Sequence, residues 1–223
     1  MRLTIVIPTL DEEHGLPKFL PDALRAADEV WVSDGGSSDA TIDVARSLGA
    51  HVVCGPAGRG AQLNRGARAT DADLILFLHA DTRLPEGAAD RVREAVARGA
   101  VGGGFLVRFE PAHGSMRLAH RMTTLRTRLT GCPLGDQAQF VRRDAFMALG
   151  GFREWPILED LDFIRRLKRY GSTVILDDPV TTSSRRFLQQ GVLRTSVTNY
   201  LIWLLYFAGV PPPRLAWLYR HIR

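Results

Sequence analysis

The chain has 223 residues, 45% of them hydrophobic and 24% charged, enough for one large α/β domain, alone or with an appendage. Its two cysteines, Cys54 and Cys132, are far apart and form no CxxC, so they imply neither a disulfide framework nor a cysteine metal site, and a reducing cytoplasm is the expected setting. The net charge of +5 comes mainly from arginine and suits a diphosphate or an anionic membrane surface; nucleic acid is not expected, because no helix-turn-helix, zinc or RNA-binding signature accompanies the charge.

The first run, Leu3-Thr4-Ile5-Val6-Ile7, is rich in β-formers, and Pro8-Thr9-Leu10-Asp11-Glu12-Glu13 closes it. Met1-Arg2-Leu3-Thr4 enters that strand directly, so no signal peptide is expected. Leu16, Phe19, Leu20 and Leu24 then fall on one helical face. A second strand, Glu29 to Ser33, ends on Asp34-Gly35-Gly36-Ser37-Ser38-Asp39. Ser38 or Asp39 can cap a helix with Ile42, Ala45 and Leu48 inward and Gly49 as its stop. Ala50 to Val53 is a third strand, Gly55 to Gly60 a glycine-rich loop, and Ala61 to Ala69 a helix.

The strand Leu74 to His79 contains four successive apolar residues, Ile75 to Leu78, as in a parallel sheet covered on both faces, and it runs out on Asp81. Strands alternating with single helices at this spacing predict right-handed βαβ units. Three of these strands end in carboxylate-bearing turns: Asp11/Glu12, Asp34 and Asp81. Ligands collect at the carboxyl ends of such strands, so the edge suggests a cleft that binds a cation or a ribose.

The second half is more mixed. Pro85 to Arg98 reads as a helix and Val101 to Phe109 as a strand whose glycines permit close backbone approach. A helix from Ser115 to Leu129 has Leu118, Met122, Leu125 and Leu129 on one side and arginines elsewhere. Gly135-Asp136-Gln137 precedes a short strand, Ala138 to Val141, and a helix that stops at Gly150-Gly151. Glu159-Asp160 opens a helix with Leu161, Ile164 and Leu167 inward, and Ser172 to Leu176 is the last strand. Beyond Pro179 comes a long apolar helix with Tyr200, Trp203, Tyr206 and Phe207, then three prolines, then Trp217 and Tyr219 among basic residues. Residues 187–223 therefore read as a helical hairpin, either against a core or a second subunit, or at a membrane interface. The most apolar run, Leu201 to Val210, is roughly half a membrane span, so the chain reads as soluble or peripherally attached.

Gly58-Arg59-Gly60 is not a dinucleotide fingerprint, since Leu63 stands where the third glycine belongs. Arg59 could still pass near a phosphate. Asp81 could hold a divalent cation that neutralises a departing diphosphate, or simply cap the next helix. Asp160 could act as a general base near an acceptor, or cap its own helix.

Ile7-Pro8-Thr9-Leu10-Asp11-Glu12, Val32 to Thr41, Leu78-His79-Ala80-Asp81, Gly150-Gly151-Phe152 and Glu159-Asp160 together resemble the family 2 glycosyltransferases, over residues 3–190. Phe77 to Thr82 and Gly135-Asp136-Gln137 resemble most the small bacterial subgroup associated with radical-SAM partners and arsenosugar biosynthesis. The resemblance implies a single GT-A, or nucleotide-diphospho-sugar transferase, domain over 1–186: a mostly parallel central sheet flanked by helices, with a C-terminal helical appendage. It implies that Pro8, Thr9 and Glu12 line the nucleotide pocket, that Asp34 binds the base, and that Arg59, His79, Ala80 and Arg186 lie beside the donor. Asp81 would be the metal ligand, Asp160 with its neighbour Glu159 the catalytic carboxylates of an inverting displacement, and Gly135, Asp136 and Gln137 the acceptor side. The implied partners are a UDP- or GDP-linked sugar and an acceptor hydroxyl, and the implied cofactor is Mn²⁺ or Mg²⁺. The first aspartate of the family's D-x-D is His79 here, which tilts the metal toward Mn²⁺. Two rivals remain at this stage. A sugar-nucleotide pyrophosphorylase would want a basic glycine loop where Pro8 to Glu12 stand, and a sugar-nucleotide binder without turnover would not need Asp81 and Asp160.

Overall fold

The computed structural model describes residues 1–111 and 114–222, excluding the side chains of Arg186 and of residues 220–222. Four strands, β1 (Leu3–Thr9), β2 (Glu29–Asp34), β3 (His51–Cys54) and β4 (Leu74–Phe77), run parallel in the order β3-β2-β1-β4. The helices α1 (Leu16–Ala26), α2 (Thr41–Ser47) and α3 (Arg59–Ala69) connect them. Leu3, Ile5 and Val6 are fully buried, as are Ile75 and Leu76, because helices cover both faces. Asp39 accepts the Thr41 amide at 2.9 Å at the start of α2, and Gly49 ends that helix region at φ +96°.

The sheet then departs from a parallel one. Beyond β4 lie β7 (Phe140–Arg142), β6 (Gly102–Glu110), β8 (Thr173–Ser183) and β5 (Thr82–Arg83), completing eight strands in the order β3-β2-β1-β4-β7-β6-β8-β5. β7 is antiparallel to both β4 and β6, and β5 is antiparallel to β8, so only β6 and β8 pair in parallel on this side. A three-residue strand and a two-residue strand carry too little periodicity to reveal their direction. The last strand is also longer than its apolar run: it continues through Pro179 to Ser183. Its pairing with β6 shifts register there, leaving Pro179 outside the paired positions, so its missing N–H costs no ladder bond and it need not end the strand.

The remaining helices are α4 (Ala88–Ala97), α5 (Ser115–Thr130), α6 (Arg143–Ala148), α7 (Glu159–Tyr170), α8 (Arg185–Gln190), α9 (Val192–Phe207) and α10 (Pro212–Ile222). α9 packs on α5 and on α10. Leu161, Ile164 and Leu167 of α7 are fully buried, as their spacing predicts. They share a core with Phe77, Phe146, Phe152 and Phe163, whose rings meet at centroid distances from 4.4 to 6.5 Å. That aromatic cluster fixes the end of β4 against the start of α7, which is where the candidate site forms.

Gly103 explains the glycine-rich start of β6. A Cβ there would stand 1.9 Å from the Val174 carbonyl oxygen of β8, a backbone atom that cannot swing away. Gly103→Ala should therefore destabilise the fold by about 1–3 kcal/mol in denaturant unfolding, an overpacking cost without any change in surface chemistry.

Candidate active site

The parallel strands β1, β2 and β4 deliver their carboxyl ends to one edge, and α3 closes over that edge. α3 can lie so low because of Gly66, where a Cβ would meet Val6 Cγ1 at 2.4 Å. Two buried amides on α3 then lock it down. Gln62 Nε2 donates to the carbonyls of Thr9 (2.8 Å) and Ser33 (3.0 Å), joining the ends of β1 and β2. Asn64 exchanges two bonds with the Phe152 backbone, each 2.8 Å, tying Gly150-Gly151-Phe152 to the same helix. Gly151 must be glycine, since its φ is +74° and a Cβ would stand 2.4 Å from Asn64 Oδ1. Neither amide was singled out from sequence; the only signal was polar residues on the inward face of a helix.

Arg59, at the first turn of α3, is thereby aimed at the start of α7. Its Nε donates to Glu159 Oε1, and Nη2 donates to Asp160 Oδ2 at 2.9 Å. Nη1 lies 3.4 Å from His79 Nε2, a contact that requires a neutral ring accepting at that nitrogen. Burial, with the Arg59 charge alongside, pushes the His79 pKa down to about 3, so the ring is neutral throughout the physiological range.

Asp160 receives the Gly135 amide at 2.7 Å and the Leu161 amide at 2.7 Å in addition to Arg59. Burial opposes its charge, but Arg59 and the two amides outweigh burial and hold its pKa below the usual carboxylate value. Glu159 goes the other way: burial and the neighbouring Asp160 raise it against the pull of Arg59. Two adjacent carboxylates are thus driven apart in acidity, with Asp160 the one that stays ionised. Gly135 sits at the centre of the cluster: a Cβ there would be 2.8 Å from Arg59 Nη2, 3.0 Å from Asp160 Oδ2 and 3.1 Å from His79 Nε2.

Asp81 lies past the end of β4, half-buried, with the Thr82 and Thr182 hydroxyls 3.4 and 3.5 Å from Oδ1. These long contacts leave its carboxylate poorly solvated, and burial raises its pKa. Burial raises Glu12 as well, with the nearby Asp81 charge adding to the effect. Two like charges that both resist ionisation are the arrangement a cation relieves.

Two cavities meet here. One, about 310 Å³, is lined by Pro8, Thr9, Glu12, Gln62 and Ala80 together with Arg59, His79 and Asp81. The other, about 400 Å³, shares Arg59, His79 and Asp81 and continues past Asp136, Glu159 and Asp160 to a wall formed by α5, α9 and α10. Thr123 and Arg126 contribute from α5, Tyr200 and Trp203 from α9, and Tyr219 from α10.

Most candidate residues come together, but two turn away. Asp34 is fully buried, and its oxygens accept from the Gly36 amide (2.8 Å), the Ser37 amide (2.9 Å), Thr9 Oγ1 (3.2 Å) and Ser37 Oγ. Burial opposes its charge, yet these bonds keep its pKa low, so it organises the turn after β2 and lines neither cavity. Gln137 is also fully buried: Arg126, Thr127 and the Leu134 amide donate to Oε1, and Nε2 donates to the Phe105 carbonyl. It holds the Gly135–Gln137 turn in place rather than facing the cavity, whereas Asp136 does line it. The side chain of Arg186 lies outside the described residues.

A model of the family described as glycosyl transferase family 2 matches residues 4–150. Proteins of Mycobacterium tuberculosis (strain ATCC 25618 / H37Rv) and Mycobacterium bovis, each described as an uncharacterized glycosyltransferase, are 32% identical over 99 residues, 44% of this chain. That match covers 45% of their own length, so the chain spans about half of the curated relatives it matches. Among solved structures, glucosyl-3-phosphoglycerate synthase from Mycobacterium tuberculosis, in complex with Mn²⁺, UDP-glucose and phosphoglyceric acid, has a TM-score of 0.66 at 21% identity, covering 94% of this chain and 80% of that one. TarS of S. aureus (residues 1–349), in complex with UDP-GlcNAc, has a TM-score of 0.64 at 17% identity, covering 82% and 58%. Both share the GT-A arrangement of a central sheet flanked by helices. With two thirds of its length under the family model, the chain belongs to glycosyl transferase family 2.

Proposed function

We propose that the protein transfers a sugar from a nucleotide-diphosphate donor to an acceptor hydroxyl, with inversion, by direct displacement. The observation that carries this reading is the pair of cavities meeting at Arg59, His79 and Asp81, with the ionised Asp160 on the far side of the junction. The smaller cavity, with Pro8, Thr9 and Glu12, is the donor site in this reading; the larger is the acceptor site. In this reading Glu12 accepts from a ribose hydroxyl, and the neutral His79, which accepts at Nε2 from Arg59, carries its proton on Nδ1 and can donate one bond at the diphosphate.

Asp160 has three of its carboxylate lone pairs filled by Gly135, Leu161 and Arg59, which leaves one for the acceptor hydroxyl. It takes the hydroxyl proton as the acceptor oxygen attacks the anomeric carbon and the nucleoside diphosphate leaves. The side chains present fit a divalent cation at Asp81: a hard carboxylate oxygen with long hydroxyl neighbours and a second carboxylate, Glu12, close by. Among the described residues no three acidic, His or Cys side chains converge, so such a cation would share its shell with the donor phosphates and water. When bound, it supplies charge neutralisation for the leaving diphosphate. The Mn²⁺ and UDP-sugar in the complexes of the structural neighbours support this choice of donor and cation. Residues 1–186 then form the transferase domain, and the helices after residue 187 complete the acceptor wall. The resemblance of Phe77 to Thr82 and of Gly135 to Gln137 supports the small bacterial subgroup named above, and the acceptor is a lipid-linked or a small soluble hydroxyl compound.

Asp81→Ala tests the donor side. Nucleotide-diphosphate affinity measured with Mn²⁺ should fall at least about tenfold, to the metal-free value, while melting temperature holds or rises, because a carboxylate disfavoured by burial is removed. Unchanged metal-dependent binding would remove Asp81 from the site.

A further inference from the structure

Four helices outside the parallel half, α5, α8, α9 and α10, carry most of the molecule's exposed apolar surface. Of the fifteen large hydrophobic side chains exposed among the described residues, eleven lie on them. On α5 they form one stripe, Leu118, Met122, Leu125 and Leu129, at i, i+4, i+7 and i+11, opposite the buried Met116, Ala119 and Thr127. On α9, packed against α5, Leu193, Val197, Leu201 and Leu204 form a second stripe at i, i+4, i+8 and i+11, opposite the buried Thr195, Thr198 and Ile202. Leu129 and Leu193 are 76% and 77% exposed, far beyond what scattered surface leucines need.

Charge is segregated with them. Residues 115–130 and 184–223 hold ten arginines and no aspartate or glutamate, while the rest of the chain sets nineteen basic residues against all 24 acidic ones. On α5, Arg117 and Arg121 flank the leucine stripe on one side, and Arg128 follows on the same side, paired with Asp177 of β8 at 2.8 Å. An apolar stripe edged by cations with no carboxylate on the same helices matches an anionic lipid surface, where leucines enter the headgroup boundary and guanidinium groups meet phosphate. No helix among the described residues is long and apolar enough to cross a membrane.

We propose that the outer face of α5 and α9 is a docking surface for an anionic lipid bilayer, which the protein engages in the plane of the interface. Thr123 and Arg126 of α5 and Trp203 of α9 line the larger cavity from the same two helices, so a docked bilayer lies across these helices from that cavity. The surface stands independently of the transferase reading.

The test is co-sedimentation of the full chain with vesicles of phosphatidylcholine alone and of phosphatidylcholine with phosphatidylglycerol. Binding should require the anionic lipid and weaken about tenfold between low and high salt. Arg117→Glu with Arg121→Glu should weaken it at least about 25-fold, at roughly fivefold per lost cation. Leu125→Glu with Leu201→Glu should also abolish it, and both double variants should keep the parent's melting temperature and nucleotide affinity. Failure to bind, or binding that ignores both lipid charge and salt, would overturn the proposal. So would a dimer in solution that the leucine pair dissociates, because the face would then belong to a second copy of the chain.

Discussion

Asp160→Asn should lower the turnover of sugar transfer by about 10²–10⁴-fold while leaving nucleotide-diphosphate affinity within about threefold of the parent. The substitution is isosteric: the amide oxygen can take the Oδ2 position, where it still accepts from Gly135 and Arg59 and keeps the turn that carries Gly135 in place, while the Leu161 amide loses its acceptor. The lost property is the negative charge. Its folded environment holds Asp160 ionised: burial resists the charge, but Arg59 and two amides prevail, so near neutrality the group is free to receive a proton. Because its pKa is depressed, the stabilisation that goes with ionisation is present at neutral pH and is lost as pH falls through the folded-state pKa. Activity should therefore fall on the acid side first. A variant that binds nucleotide but does not turn over supports the base role; full activity in Asp160→Asn would assign the carboxylate to helix capping alone.

Arg59→Ala should cost about 3 kcal/mol of stability, the lower end for breaking a buried pair because the guanidinium keeps some solvent access, and should also abolish measurable transfer. Its side chain is 39% exposed, whereas those of Glu159 and Asp160 are 3% and 10% exposed. Removing the cation leaves two buried carboxylates beside one another with only backbone amides to offset their charges. The pair should then ionise together only at higher pH, and Asp160 would lose the bias that keeps it charged. Glu159→Gln in the Arg59→Ala background should recover part of the stability, because it removes one of the two opposed charges. Chemical denaturation of the single and double variants measures this directly. Equal stability of Arg59→Ala and the parent would mean that the arginine only decorates the cleft.

Much of this arrangement was legible in the primary sequence, for a physical reason. The parallel half announces itself through unbroken apolar runs such as Ile75 to Leu78, which only a doubly covered strand needs, and through carboxylates placed where those runs end. Leu161, Ile164 and Leu167 likewise have only one helical face to occupy. What stayed hidden depends on contacts between distant segments. β5 is two residues and β7 three, and their directions are set by the neighbours they pair with. β8 outlasts its apolar run because β6 remains beside it past Pro179.

The same distinction holds at the site. Asp34 and Asp81 look alike in sequence, each a carboxylate after a strand, yet Asp34 is consumed by its own turn and Asp81 is left with two distant hydroxyls. Gln137 reads as part of the acceptor side but is consumed by α5 and β6. Gln62 and Asn64 read as ordinary helix residues, and yet they seat the helix that aims Arg59. A side chain's hydrogen-bond partners are not written beside it in the chain.

Calorimetric titration with UDP and with GDP, each in the presence and absence of Mn²⁺, tests the donor site most directly. The arrangement of Glu12, His79 and Asp81 around the smaller cavity predicts that one of the two nucleotides binds, that Mn²⁺ tightens it, and that Asp81→Ala removes the difference. If neither nucleotide binds under any of these conditions, the cavity is not a donor site, and the transferase reading of this chain fails with it.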